Sequence, residues 1–229
     1  NVGKSFGSNP ILKACSLTIK MSERYVLLGS NGSGKTTLVK LLTTLYSPDE
    51  GEVIINGYNS SNDPEKIRET IGYVGHNSLL YGDLTGYQNL KFFSKFYQNT
   101  DFDTQFEYLT RILNFSGLIN QKVAKLSHGE KKRLSIMKAM MSNPSLLIMD
   151  EPDSGLDVGS INNLTDNFFP NAINGNMTVF LTTHNSDFAL SVASTIGVLQ
   201  SGKVKFQVQD EDQFPNLIEK YESINESVL

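Results

Sequence analysis

The chain has 229 residues, of which 39% are hydrophobic and 19% charged, so it can bury a core and is not expected to be globally disordered. Its net charge of −4 argues against a protein that wraps nucleic acid, and we expect no nucleic-acid partner. The single cysteine, Cys15, excludes an internal disulfide and indicates a reducing compartment. No apolar run is long enough to span a bilayer, and no signal peptide is visible.

Short apolar strands alternate with helical patterns along the chain. The predicted strands are 24–28, 52–55, 71–74, 146–149, 178–181, 196–199 and 204–206. Helical spacing follows the first of these at 35–45 and dominates 84–141. This order predicts a single α/β domain, residues 1–229, with a mostly parallel sheet.

The acidic segment 210–229 carries a helical stripe of apolar residues. The stripe consists of Leu217, Ile218, Tyr221, Ile224 and Val228. Two interpretations remain open, a helix packed on the domain's own flank and a helix that binds a partner.

The turn after strand 24–28 matches a phosphate-binding loop in full. It reads Gly29-Ser30-Asn31-Gly32-Ser33-Gly34-Lys35-Thr36, followed by Thr37. A strand before it and a helix after it are the context that this motif requires. Glycines let several backbone N–H groups point at one phosphate, and the helix N-terminus adds its positive dipole end. Lys35 would contact the β and γ phosphates, and Thr36 would offer a hydroxyl to Mg²⁺.

Strand 146–149 leads directly into two carboxylates, Asp150 and Glu151. The end of a parallel strand is where α/β sheets place ligands. We expect Asp150 to hold Mg²⁺ and Glu151 to act as the general base on the attacking water. A carboxylate pair alone is weak evidence, since a capped helix start is similar, but a phosphate loop in the same chain strengthens it.

Four further strings appear in one order along the chain and carry a family resemblance. They are Phe6, Leu126-Ser127-His128-Gly129-Glu130, Ser154-Gly155-Leu156-Asp157 and Thr182-Thr183-His184. In this order they resemble the adenine-stacking aromatic, the signature motif, the D-loop and the switch histidine of ABC ATPases. Together with the phosphate loop and the acidic strand end, they follow the order of that family's motifs. The resemblance covers nearly the whole chain, from Phe6 to about Phe206. Phe6 could instead be a core aromatic, and Ser127 an ordinary helix cap.

The resemblance implies a fold and a division of the chain. The fold is a P-loop NTPase (RecA-like) α/β core with a parallel sheet, an N-terminal antiparallel β region and an inserted helical subdomain. The expected boundaries are 1–76 and 142–206 for the ATP-binding core, 77–141 for the helical subdomain and 207–229 for the tail.

The resemblance also implies a mechanism with two nucleotides between two subunits. ATP and Mg²⁺ are the expected cofactors, and Lys35, Glu151 and His184 the expected catalytic residues. A homodimer or heterodimer would pair head to tail, so that Ser127 and Gly129 of one subunit cap the γ-phosphate bound by the other. Asp157 would touch the partner across the interface.

Three positions depart from the family's pattern. His76 stands where the family has a glutamine that reaches Mg²⁺, which makes it a candidate metal contact although imidazole is not a preferred Mg²⁺ ligand. His76 could instead orient water, or Asn77 could supply the amide. His128 replaces the signature glycine and Glu130 the glutamine. Negative charge at Glu130 predicts modestly weaker ATP binding, unless Lys131 or Lys132 offsets it, and slow hydrolysis. Glu130→Gln should then raise turnover or ATP affinity.

The expected function is the ATPase subunit of an ABC transporter, coupled to a separate membrane permease and peripheral on the cytoplasmic face of a membrane. The alternative is a soluble, non-transport ABC ATPase. Residues 75–90 are similar to the ATPase of haem exporters and of related drug exporters, which suggests export of haem or another small molecule. The permease is expected to dock on this same stretch.

Overall fold

The computed structural model describes residues 1–97, 101–173 and 177–226, which form a layered α/β fold. The strands are β1 (Val2–Phe6), β2 (Asn9–Cys15), β3 (Arg24–Leu28), β4 (Ile54–Ile55), β5 (Tyr58–Asn59), β6 (Ile71–Val74), β7 (Leu146–Asp150), β8 (Thr178–Thr183), β9 (Thr195–Gln200) and β10 (Lys203–Val208). The α-helices are α1 (Lys35–Leu42), α2 (Pro64–Thr70), α3 (Gly86–Phe96), α4 (Phe102–Ile112), α5 (His128–Met140), α6 (Val158–Asn162), α7 (Phe169–Ile173), α8 (Ser186–Val192) and α9 (Phe214–Glu226). A π-helical segment, Asn163–Phe168, joins α6 to α7.

A six-stranded sheet forms the centre, in the order β10-β9-β3-β8-β7-β6. The pairs from β9 to β6 are all parallel, and β10 runs antiparallel at the edge. β1 and β2 form a separate antiparallel pair, and β4 and β5 a short hairpin. The predicted fold class is confirmed, and the carboxyl ends of β3, β7 and β8 meet at one edge, where α/β folds bind ligands.

Each face of the sheet packs its own hydrophobic cluster, because successive side chains on a strand point to opposite sides. On β3, Tyr25 and Leu27 join the cluster beneath α1, whereas Val26 and Leu28 join the cluster beneath α5 and α8. The helices between β6 and β7 therefore share a core with the sheet. The division of the chain at 77–141 stays a prediction.

All seven predicted strands are present, four of them one to three residues longer than predicted, and two predicted elements are shorter than expected. The helix predicted over 35–45 ends at Leu42, since Thr43 Oγ1 donates back to Val39 O at 2.9 Å and Thr44 takes φ +57°. The strand predicted over 52–55 is confined to Ile54–Ile55.

The acidic tail folds onto the domain itself. In α9 the side chains of Leu217, Ile218 and Tyr221 are buried in the same cluster as the sheet. Packing on the domain's own flank is thus confirmed for these three residues, while the side chain of Ile224 and all of Val228 lie outside the described part. Within that part, no helix combines the length and the apolar character needed to cross a membrane.

Candidate nucleotide-binding site

The phosphate-binding loop joins the end of β3 to the start of α1. Gly32 takes φ +79° and Gly34 φ +110°, a region that side chains rarely tolerate. A Cβ on Gly34 would also lie 3.0 Å from Leu12 Cδ2, so strand β2 presses directly against the loop. The loop therefore needs glycine at this position for both backbone conformation and space.

A cleft of about 490 Å³ opens beside this loop. Its lining residues are Ile11, Asn31, Gly32, Gly34, Lys35, Thr36, Thr37, His76, Asp150 and Glu151. The structure thus brings most of the predicted loop together with His76 and both strand-end carboxylates. Ile11 was not predicted, because nothing in an apolar β2 residue distinguishes a cleft wall from a core position.

Lys35 and Glu151 form the electrostatic centre of the cleft. The side chain of Lys35 is 5% exposed, and its Nζ lies 3.1 Å from Glu151 Oε1. Lys35 Nζ also donates to Gly29 O at 2.7 Å and Ser30 O at 3.2 Å. Burial alone would raise the pKa of Glu151, but the hydrogen bond and charge of Lys35, aided by His184, hold it below its ordinary value. Glu151 is therefore ionised near neutral pH.

His184 lies on the other side of the same carboxylate. Its Nδ1 is 3.7 Å from Glu151 Oε1, and its side chain is 48% exposed. Glu151 takes φ +47°, a conformation disfavoured for residues with a side chain. Such outliers concentrate at functional sites, where neighbouring contacts hold them in place.

Two oxygen-bearing side chains in the cleft suit a hard divalent cation. Asp150 is 4% exposed, and its Oδ1 accepts a 2.8 Å hydrogen bond from Thr182 Oγ1. Thr36 adds a hydroxyl to the same cleft. These two donors fit Mg²⁺, which binds through one or two protein oxygens and takes its other ligands from phosphate and water.

Three of the predicted binding residues, Phe6, Ser30 and Ser33, are not part of the cleft lining. Phe6 is 47% exposed and meets Tyr46 edge-on at 5.5 Å, so it is not a core aromatic. Ser30 contributes its carbonyl to Lys35. Ser33 is buried, and a Cβ on Gly29 would come within 2.5 Å of its Oγ.

The signature residues form a second centre at the start of α5. Ser127 Oγ accepts from Glu130 N at 3.2 Å, and Glu130 Oε2 accepts from Ser127 N at 2.7 Å, which completes a capping box. A Cβ on Gly129 would lie 2.6 Å from Ser160 Oγ. Asp157 caps α6 by accepting from Ser160 N at 2.7 Å. Ser127, Gly129 and Asp157 are therefore brought together, and none of them lines the cleft.

His128 contacts the D-loop segment of its own chain. Its Nε2 lies 3.3 Å from Ser154 O, and a Cβ on Gly155 would meet the imidazole at 3.3 Å. The ring that replaces the family's glycine thus ties the signature turn to the segment after Glu151.

Sequence reasoning assigned no role to three buried side chains, Lys132, Asp153 and Thr183. Lys132 is 4% exposed, and its Nζ lies 3.4 Å from both Gly75 O and Glu151 O. Asp153 and Thr183 are buried and joined by a 2.9 Å hydrogen bond. The pair of threonines that ends an otherwise apolar β8 was the available signal, since buried hydroxyls need partners.

Comparison with known proteins identifies the family. The family model described as ABC transporter matches residues 12–154. The linearmycin resistance ATP-binding protein LnrL of Bacillus subtilis (strain 168) is 32% identical over 207 residues, which cover 89% of this chain and 66% of that protein. YdbJ, an uncharacterized ABC transporter ATP-binding protein of the same organism, is 33% identical over 205 residues, covering 90% of this chain and 66% of YdbJ.

A solved structure agrees with these relatives. A dimeric ATP-binding cassette in a post-hydrolysis state, bound to ADP and phosphate, superposes with a TM-score of 0.82 at 26% identity, covering 91% of this chain and 96% of that one. The chain spans just under two thirds of the length of the two Bacillus relatives. It belongs to the ABC transporter ATP-binding family, whose members hydrolyse ATP.

Proposed function

We propose that this chain is the ATP-binding and ATP-hydrolysing part of an ABC transporter, with the nucleotide phosphates in the 490 Å³ cleft. Lys35 and the loop N–H groups of residues 30–37 bind the phosphates, and Phe6 stacks on the adenine. Glu151 is the general base, because it is ionised and half-enclosed between Lys35 and His184. His184 orients the attacking water and contacts the γ-phosphate.

The main support for this proposal is that the phosphate cleft and the signature turn at the start of α5 are separate within one chain. Lys35, Glu151 and the phosphate loop share one cleft, whereas the capped turn at Ser127 and Gly129 lies beside Asp157 and outside the cleft lining. A helix N-terminus is suited to a phosphate, yet α5 does not present its own to this chain's cleft. A second subunit, paired head to tail as a homodimer or heterodimer, brings its Ser127 turn to that phosphate.

Thr36 and Asp150, whose hard oxygens suit Mg²⁺, would hold this ion, which would supply positive charge to neutralise the phosphates. His76 lies on the cleft wall, where its imidazole is better suited to orient water than to bind Mg²⁺ directly.

The first experiment compares wild type with Glu151→Gln by light scattering, with and without Mg-ATP, alongside ATPase assays. Wild type is expected to hydrolyse ATP. Glu151→Gln is expected to lose hydrolysis and to form an ATP-dependent dimer, because the amide cannot accept the proton from water. Glu107→Gln, on the exposed face of α4, is the matched control and should behave as wild type. A hydrolysing Glu151→Gln variant would contradict the assignment of the base.

A permease surface is proposed on the loop before α3 and on the exposed face of α3. Leu79, Tyr81, Phe92 and Phe96 are between 37% and 69% exposed, and the Phe92 ring contacts those of Tyr81 and Phe96. Buried Asn89 fixes the loop, since its Oδ1 accepts from Tyr81 N at 2.8 Å and its Nδ2 donates to Tyr81 O at 3.0 Å. Exposed apolar patches of this kind mark interaction sites.

The loop also carries Asp83, which is exposed and suited to a charge test. Asp83→Lys is expected to lower transport in membranes that contain the permease while leaving the basal ATPase rate of the isolated chain unchanged. An equal loss of both activities would reject the docking assignment.

The proposed cargo is a small molecule that is exported, and the protein works at the cytoplasmic face of a membrane. The support is the similarity to LnrL, a linearmycin resistance ATP-binding protein. Of the two expected cargoes, we therefore favour a drug-like small molecule over haem.

A further inference from the structure

A carboxylate that the steps above do not use lies two residues after Glu151. Asp153 is 6% exposed, and its Oδ2 accepts from Thr183 Oγ1 at 2.9 Å. Its Oδ1 is buried and has no hydrogen-bond partner within the described part of the chain. Burial raises the pKa of Asp153, against the hydrogen bond from Thr183, which lowers it. Such a group is costly to keep and calls for a specific role.

Thr183 connects Asp153 to the next turn of the chain through two hydrogen bonds. Its Oγ1 accepts from Asn185 N at 3.0 Å while donating to Asp153. A hydroxyl has one proton, so a Thr183 that accepts from Asn185 must direct that proton to its other neighbour, the carboxylate. Asn185 in turn caps α8 by accepting from Phe188 N at 3.0 Å.

His184 lies in sequence between Thr183 and Asn185, which are both part of this series of hydrogen bonds. Its ring is about half exposed and lies 3.7 Å from Glu151 Oε1, so packing around the ring does little to set its direction. The backbone on both sides of the ring is held through Thr183 and Asn185.

The neighbouring threonine makes a parallel arrangement. Thr182 Oγ1 donates to Asp150 Oδ1 at 2.8 Å and accepts from Glu151 N at 3.2 Å. Adjacent strand residues point to opposite faces, so one threonine fixes the Asp150–Glu151 side and the other the His184 side.

We propose that Asp153 is a positioning residue for His184: by accepting the Thr183 proton it fixes the turn that directs the His184 imidazole at Glu151. The inference rests on the proposed function, in which His184 assists the base. Asp153 itself contacts neither nucleotide nor water in this mechanism.

The kinetic test uses Asp153→Ala, Asp153→Asn and His184→Ala, with Asp187→Ala as the control, because Asp187 is acidic and exposed on α8. Asp153→Ala is expected to lower kcat about tenfold or more with KM for ATP unchanged, since misplacing a catalytic group is costly. Asp153→Asn should retain most activity, because its amide oxygen still accepts from Thr183. In a His184→Ala background, Asp153→Ala should cause no further loss.

A spectroscopic test is independent of turnover. The chain has three histidines, so their imidazole NMR resonances can be assigned one by one. Asp153→Ala should shift the His184 resonance and leave those of His76 and His128 in place, and Asp153→Asn should restore it. If Asp153→Ala does not fold, Thr183→Val is the replacement test. It removes the hydroxyl donor, and it should shift the His184 resonance in the same way.

The outcomes separate the inference from the function on which it rests. An unmoved His184 resonance, or an equal kcat loss with and without His184, overturns the positioning role. Full activity in His184→Ala, with the His184 resonance shifted by Asp153→Ala, overturns the catalytic assignment of His184 and leaves the hydrogen-bonded coupling intact.

Discussion

The nucleotide cleft and the start of α5 differ in how far one chain completes them. In the cleft, buried Lys35 contacts two loop carbonyls and Glu151, so the charges that a phosphate would meet are already satisfied within the chain. At the start of α5, the Ser127 turn is exposed, and its capping box satisfies only itself. In the proposed function, the first region binds the phosphates within one chain, whereas the second acts on a phosphate bound by another subunit. Mutations should therefore separate binding in the cleft from turnover that needs the second region.

The largest effect is expected in the cleft, from Lys35→Met. The substitution removes the charge that meets the phosphates, and ATPase kcat/KM should fall by roughly 10² to 10³. Since Lys35 is the main cause of the lowered pKa of Glu151, that pKa should also rise. Nucleotide titration and the acidic limb of the pH–rate profile measure the two effects. Lys66→Met, which breaks an exposed ion pair, is the control; unchanged ATP binding by Lys35→Met would contradict the assignment.

Two matching helix caps test whether the start of α5 has a role beyond capping its helix. Ser127 with Glu130 and Thr85 with Gln88 form the same capping box on two helices. Replacing either cap residue by alanine should lower the free energy of unfolding by about 1 kcal/mol. Only Ser127→Ala should lower the ATPase rate, by about tenfold, because in the proposed dimer only that turn faces a nucleotide. Equal ATPase rates in the two variants would show that Ser127 serves only as a cap.

Lys138 links α5 to the loop before α3 and to α3 itself, and its buried amine makes the stability of this region sensitive to pH. Its Nζ donates to Ser78 O at 3.0 Å and lies 5.0 Å from the centre of the Phe93 ring. Burial lowers the pKa of Lys138 to about 8. The unfolded chain binds more protons at this side chain from about pH 8 to its unfolded pKa, so folding is favoured as pH rises through that window.

The measurement is chemical unfolding of wild type and Lys138→Met at several pH values. Wild type should gain about 1 kcal/mol relative to Lys138→Met between pH 7 and 9, because other titrating groups cancel in the difference. A difference that does not vary with pH would show that Lys138 keeps an ordinary pKa in the folded chain.

The smallest effect is expected from Glu130→Gln. The sequence predicts that the negative charge of Glu130 slows hydrolysis. Its carboxylate, however, accepts a hydrogen bond from Ser127 N at 2.7 Å, which partly offsets that charge. A glutamine oxygen can keep that bond, and turnover or ATP affinity should rise by about threefold or less. Steady-state kinetics at low ionic strength are the most sensitive assay. An unchanged turnover and affinity would reject the slow-site hypothesis.

Local patterns were sufficient for much of the fold and part of the site. Strands such as 24–28 and 71–74 could be predicted from short apolar runs, and the phosphate loop from its glycines and Lys35, because these depend on neighbours along the chain. The order of the motifs was sufficient to indicate the family, and the family model matches residues 12–154.

Tertiary structure alone decided which side chains meet. The sequence places Lys35 and Glu151 far apart, and only the parallel pairing of β3, β8 and β7 brings them to 3.1 Å. The link from Asp153 to Thr183 and the contact of His128 with Ser154 arise in the same way. Periodicity reports which residues are buried, but a hydrogen bond between distant segments depends on strand order and register, which no local pattern contains.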